Sequence, residues 1–224
     1  MQFQRTELLI GEENLNKLKR ANVIVFGIGG VGSYVVEALV RSGIGKLSIV
    51  DFDNVDITNI NRQILALHST VGRKKVDVMK ERILDINPNI ELKTYPLFVS
   101  EDTINMFNFQ DYDYVVDAID NVTGKLLIIE KCKEHNTNII SSLGTANKVD
   151  PSKLMITDIS KTHTCPLAKV VRLELRKRNI NHLDVLFSTE VPTKTTTNVL
   201  GSISYLPSCA GLMIASKVIN TLIK

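Results

Sequence analysis

The 224-residue sequence contains no CxxC pair, and its three cysteines, Cys132, Cys165 and Cys209, stand far apart. An odd number of scattered thiols argues against a disulfide framework, and no structural zinc knot is encoded. Long apolar runs are missing too. The stretch from Val199 to Ile223 is apolar, but Pro207, several serines and Lys217 break it short of the roughly eighteen residues that suggest a membrane span. It reads instead as a strand, Ile203 to Leu206, followed by a helix packed on a sheet. The polar, charged start, MQFQRTELLIGEENLNKLKR, lacks a cleavable signal pattern, so the expected compartment is the cytoplasm. Charge of one sign is not in excess: a net charge of +3 permits a polyanionic partner without requiring one. His68, His135 and His182 have no ligand-like spacing, and no Ser-His-Asp or Cys-His grouping stands out. Cys165, beside a proline and near His163, reads as an incidental loop thiol; Cys132 and Cys209 read as packing residues on helices.

What is present is organised around residues 22–75. An apolar run, Val23 to Phe26, meets the glycine turn Gly27-Ile28-Gly29-Gly30-Val31-Gly32. A helical pattern then runs to Arg41, and Gly43 stops it. A second apolar run, Leu47 to Val50, ends at Asp51. Strand, glycine turn, helix and strand, with an acid about twenty residues on, is the arrangement of a nucleotide site. Glycines let the backbone approach the ligand, and the helix N-terminus offers free N–H groups to phosphate. Dehydrogenases use a similar turn, and the residues that follow separate the two readings. They are Asp53, Asn59, Arg62, Gln63 and Lys75. A triphosphate carries more charge than a pyrophosphate and extends further, so Arg62 and Lys75 converging from outside the turn favour ATP over NAD.

The GxGGxG turn, the DxDxVxxxNxNRQ segment and the lysine after Val71-Gly72 resemble the ubiquitin-activating-enzyme-like (ThiF/MoeB/HesA) adenylating family. The resemblance implies one adenylating domain, α/β in class, with a Rossmann-like, doubly wound, mostly parallel sheet and a mixed C-terminal extension. Residues 1–20 would be an N-terminal helical arm, 21–147 the nucleotide-binding half and 148–224 the substrate-binding half. It further implies ATP and magnesium as cofactors. Gly27, Gly29, Gly30, Gly32, Asp51, Asp53, Asn59, Arg62, Gln63, Lys75, Asp120 and Asn121 would hold the nucleotide, with Asp120 binding the magnesium. Arg62, Lys75 and Asp120 would be catalytic, joined by Arg5 reaching the ATP of a second subunit, which carries a homodimer with it. On its own, Arg5 reads as a solvated surface arginine.

Further along, Val76, Met79, Ile83 and Ile86 have helical spacing and stop at Asn87-Pro88, and Ile90 to Tyr95 reads as a strand. SEDTINMF is a short helix with Ser100 as its N-cap. Tyr114 to Ile119 is a buried strand ending at Asp120-Asn121, at the edge where doubly wound sheets bind ligands. Asp117, inside that strand, should face helix or backbone. Helix 122–136 and strand Asn138 to Ser142 complete this half.

The last third separates family members. Activators of sulfur-carrier proteins carry two CxxC pairs, absent here. The Asp158…Lys161…Pro166-Leu167-Ala168 run, the Arg172…Leu175-Arg176-Lys177 helix and Phe187-Ser188-Thr189-Glu190 are similar to the tRNA threonylcarbamoyladenosine dehydratases. That similarity implies ATP-dependent cyclisation of the threonylcarbamoyl side chain in tRNA, with loss of water. Activation of the C-terminus of a ubiquitin-like sulfur carrier is the alternative. A monovalent cation and a sulfur-transfer protein partner stay open. Helix 167–179 sets Lys169, Arg172 and Arg176 on one basic face with Lys177 adjacent. The bland reading is a solvated face; the resemblance makes it a tRNA-backbone contact. The Thr-rich loop Val191 to Asn198 is expected either to lie on the surface or to fold over the substrate.

Overall fold

A computed structural model describes residues 2–196 and 199–224; Thr197 and Asn198 of the Thr-rich loop lie outside the described residues. The first strand, β1 (Asn22–Phe26), is the β-branched run NVIVF, buried along nearly its whole length. The glycine turn leads into α3 (Gly32–Arg41), and β2 (Lys46–Val50) returns parallel to β1, with Phe26 opposite Val50. Helix α4 (Lys75–Ile86) and β3 (Glu91–Tyr95) extend the sheet outward, and α5 (Glu101–Ile104) follows. The chain then crosses back to β4 (Tyr114–Asp117) on the other side of β1, with Phe26 opposite Asp117. Next come α6 (Val122–Glu134), β5 (Ile139–Ser142), β6 (Leu154–Asp158), α7 (Pro166–Lys177), β7 (Asp184–Ser188) and α8 (Tyr205–Leu222).

The described strands make one sheet in the order β3-β2-β1-β4-β5-β7-β6, parallel except for the antiparallel β6–β7 pair. This is the expected doubly wound architecture with a mixed C-terminal extension. Alternate residues along the strands feed two cores. Val23 and Val25 face α3, α4 and α8, whereas Ile24 and Phe26 face α6 and α7. The order reverses between β1 and β4, and the crevice beyond the carboxyl ends of those strands is where a ligand fits.

One expected element is different. Ile203 to Leu206 is not a strand; α8 begins at Tyr205 and takes in Pro207. A proline in the first helical turn lacks only an N–H that would have had no partner within the helix, so Pro207 starts this helix rather than breaking it.

The N-terminal arm is two helices, α1 (Gln4–Ile10) and α2 (Glu12–Arg20), hinged at Gly11. Leu15 and Leu18 are buried, while Leu8 and Leu9 are more than four-fifths exposed. The Leu18 carbonyl accepts from the Gly45 N–H at 3.1 Å, and Gln2 donates to Asn87 at 3.3 Å. Gly45 and Asn87 precede β2 and β3, so the arm lies at the amino edge of the sheet, opposite the crevice. No described helix is long and apolar enough to cross a membrane.

Candidate active site

A cavity of about 670 Å³ opens at the carboxyl edge of the sheet. Its floor begins with the glycine turn. Gly27 has a φ of +81°, and a Cβ there would lie 2.8 Å from the Ala118 carbonyl oxygen on β4's exit. A Cβ on Gly32 would sit 1.8 Å from the Gly27 carbonyl oxygen, so only glycine lets α3 start this close to β1. Gly27, Gly29 and Gly30 line the cavity. Gly32 stands behind the wall as a packing residue.

Asp51, at the tip of β2, accepts the Ile28 N–H at 2.9 Å and the Asp53 N–H at 3.0 Å. The acid therefore clamps the glycine turn to the second strand. Burial pushes its carboxyl above the usual range, against the lowering effect of Lys75 and the two amides. Lys75, at the start of α4, is itself buried and places Nζ 2.8 Å from Asp53 and 3.9 Å from Asp51. Arg62 is half-buried against Gly30; one guanidinium nitrogen donates to the Thr58 carbonyl at 2.9 Å and to Asn61 Oδ1 at 3.0 Å. Asp51, Asp53, Arg62 and Lys75 all line the cavity. Asn59 and Gln63 do not. Asn59 accepts the Asp56 N–H in a capping box, and buried Gln63 lies with its amide 3.6 Å from where a Gly29 Cβ would be. Both shape the turn from behind.

On the β4 side, Asp120 is exposed on the cavity wall and has no hydrogen-bond or ion-pair partner among the described residues. Asn121 also lines the cavity, but its side-chain oxygen is spent capping α6 through the Gly124 N–H at 2.8 Å. Beneath them Asp117 is fully buried, as is Lys125 of α6, whose Nζ lies 2.9 Å from Asp117 and 2.8 Å from the Ser142 carbonyl. Ser141 Oγ and the Ile119 N–H complete the Asp117 set. Asp117 thus faces helix α6, as expected. The sequence reading missed Lys125, although its helical spacing puts it on one face with Ile128, Ile129 and Cys132, the face that is buried.

The far wall comes from the second half of the chain: residues 142–148 after β5, Cys165 to Leu167 at the start of α7, and Pro192, Leu200, Gly201 and Ser202. Asn147, at a φ of +58°, holds the last of these segments. Its backbone pairs with Thr193 and Gly201, and its Oδ1 accepts the Gly201 N–H at 2.6 Å. Of the described part of the Thr-rich loop, Pro192 lines the cavity. Cys165 is buried in this wall rather than exposed in a loop, with Sγ 3.1 Å from where a Gly144 Cβ would stand.

On α7, Lys169 and Arg176 are exposed. Arg172 is not a free cation on that face, because its guanidinium ties α7 to Thr162. Lys177 is exposed but paired with Glu174 at 2.5 Å. Arg5 lies on the arm at the amino edge and does not reach this cavity within its own chain.

The ThiF family model matches residues 3–224. The tRNA threonylcarbamoyladenosine dehydratase of Bacillus subtilis (strain 168) is 45% identical over 241 aligned positions, covering 100% of this chain and 95% of that protein. The enzyme of the same name from Escherichia coli (strain K12) is 39% identical over 196 positions, covering 84% of this chain and 73% of its own length. The crystal structure of E. coli tRNA N6-threonylcarbamoyladenosine dehydratase, TcdA, in complex with ATP superimposes with a TM-score of 0.93 at 34% identity. That match covers 99% of this chain and 93% of the E. coli chain.

Proposed function

The chain belongs to the ThiF family, and from that premise we propose that it is an enzyme that uses ATP to dehydrate threonylcarbamoyladenosine in tRNA. One observation carries the reading: a single cavity joins the glycine turn, Arg62 and Lys75 to a separate wall built by the second half of the chain. That is the layout for bringing ATP and a second substrate together.

The chemistry asks little of a base. The substrate's carboxylate is ionised at neutral pH, so one of its oxygens can attack the α-phosphorus while the bond to pyrophosphate breaks. The resulting acyl-adenylate is an activated ester. An atom of the same side chain attacks its carbonyl carbon, AMP leaves with the ester oxygen, and the attacking atom's proton passes to solvent. Effective molarity for such an intramolecular closure is high. The protein's task is to position and neutralise: turn amides at the start of α3, Lys75 and Arg62 toward the phosphates, and Asp51 holding the turn in shape. Asp120 fits a magnesium site of the kind phosphates complete, since it offers one unpaired carboxylate on the cavity wall. Magnesium held there would neutralise phosphate charge. Arg5 lies at the edge opposite its own chain's cavity, so on this reading it would serve the site of a second copy in a homodimer. We take the cytoplasm as the place of action, where its tRNA substrate resides.

The test is a nucleoside digest. Transfer RNA bearing threonylcarbamoyladenosine, incubated with protein, ATP and magnesium, should lose one water at that nucleoside only when ATP is present. ATP binding or pyrophosphate exchange with no loss of water would move the assignment to a carrier-protein substrate, and no ATP binding would overturn the reading of the glycine turn.

We also propose that Lys169 and Arg176 contact tRNA phosphates. Replacing both with alanine should weaken tRNA binding uniformly across sequences and reduce the log–log salt slope by about two, one per phosphate contact. ATP affinity should not change. An unaltered salt slope would return both residues to an ordinary solvated face.

A further inference from the structure

Among the described residues three lysines are buried: Lys75, Lys125 and Lys148. Two have carboxylates in contact, Lys75 with Asp53 and Lys125 with Asp117. Lys148 has none within ion-pair distance. Its Nζ donates to two neutral acceptors, the Gly144 and Ser188 carbonyls, each at 3.1 Å. A lysine ammonium has three donors, so one N–H is left without a partner among the described residues. The nearby Glu190 carboxylate is engaged by the Val149 and Asp150 amides. Cys165 is the other titratable group beside it. Burial pulls the Lys148 ammonium below the ordinary lysine range, the mark of a cation whose compensation is incomplete.

Lys148 also belongs to the cavity wall, with Gly144, Cys165 and Leu167. It is only 2% exposed, so its charge is almost fully withdrawn from solvent. This wall follows β5 and lies two strands from the glycine turn, away from Arg62 and Lys75. A buried cation in a substrate wall, held by dipoles alone, is completed by an anion from the ligand.

We propose that Lys148 is the carboxylate-binding position of the second substrate. Its ammonium takes a carboxylate oxygen of the incoming side chain and holds that oxygen in place for attack on ATP. It forms no covalent bond and passes no proton. This assignment rests on the adenylating reading given above.

Three variants of the full chain separate charge from scaffolding. Lys148→Gln keeps two N–H donors for the Gly144 and Ser188 carbonyls but removes the charge, Lys148→Met removes both, and Lys148→Arg keeps the charge. The Gln variant should lose about tenfold to a hundredfold in kcat/KM for modified tRNA, the cost of a charge-assisted hydrogen bond. Its ATP affinity should stay within about twofold of wild type, and the Arg variant should recover part of the loss. A second readout does not depend on turnover. N-carbamoyl-threonine titrated into the ATP-free protein should raise the melting temperature of wild type but not of the Gln variant, and its carboxamide analogue should raise neither. A Gln variant with wild-type kcat/KM and wild-type response to the probe overturns the proposal. A wild-type protein that leaves the nucleoside unchanged would count against the dehydratase reading instead, and the probe titration still decides Lys148.

Discussion

Arg62→Ala should cut ATP-dependent turnover by about 10²–10³-fold, the usual cost of removing one preorganised donor to developing charge, while the protein stays folded. Arg62 is half-buried, and the bonds it makes are local, to Thr58 and Asn61 in its own turn. Losing them should cost no more than about 1 kcal/mol. Nη2 and Nε of the guanidinium make no hydrogen bond or ion pair among the described residues, and Arg62 lines the cavity with its stem against Gly30, so the fork is left for phosphate. Arg62→Lys should restore only part of the activity, because a point charge does not reproduce the fork. Asp120→Ala should behave like Arg62→Ala, since its carboxylate supports nothing else among the described residues. Lys75→Ala is a poorer probe: it would leave Asp51 and Asp53 without their cation and mix a stability defect into the kinetics. The measurement is nucleoside product per unit time at saturating ATP, with a thermal melt on the same samples. Full turnover in either Arg62→Ala or Asp120→Ala would remove that residue from the phosphate machinery.

How much of this was legible in the sequence depends on how local the physics is. The glycine turn, the apolar strands and the acid at the tip of β2 are contiguous patterns, and the sheet they build follows from them. The start of α8 was misread because Ile203 to Leu206 is a short apolar run, and such a run does not distinguish strand from helix. Pro207, which interrupts the apolar run in sequence, sits in the first turn of α8. Arg172 has the helical spacing of a free cation on the basic face and Lys177 lies beside it, but Thr162 and Glu174 occupy them, and those partners are set by packing. Lys148 has no signal in the sequence, and Lys125 only its helical register. Burial of a lysine is decided by what the neighbouring strands and loops place over it; Lys125 shares a helix face with Ile128, Ile129 and Cys132, whereas Lys148 sits in no apolar pattern.

Lys125→Met should be the most damaging single change to the fold, costing about 3–5 kcal/mol, because it strands the Asp117 carboxylate in the sheet without a counter-charge. Both side chains are completely buried, and the pair is woven into its surroundings through Ser141, the Ile119 N–H and the Ser142 carbonyl. Asp117→Asn alone should also destabilise, since it leaves Lys125 buried and uncompensated. Combining the two should cost less than the sum of the single changes by about 0.5–3 kcal/mol, the coupling typical of groups in direct contact. Chemical denaturation of the four proteins measures it, and additive effects would mean the pair is not the unit described here. The consequence reaches the site. Asp117 holds the N–H of Ile119, immediately before Asp120, and Lys125 holds the carbonyl of Ser142, which lines the cavity. Well below its melting temperature, Lys125→Met should therefore still turn over more slowly than wild type, with its loss in kcat rather than in ATP affinity. A variant that is destabilised but kinetically normal would confine the buried pair to the fold and leave Asp120 positioned by its own turn.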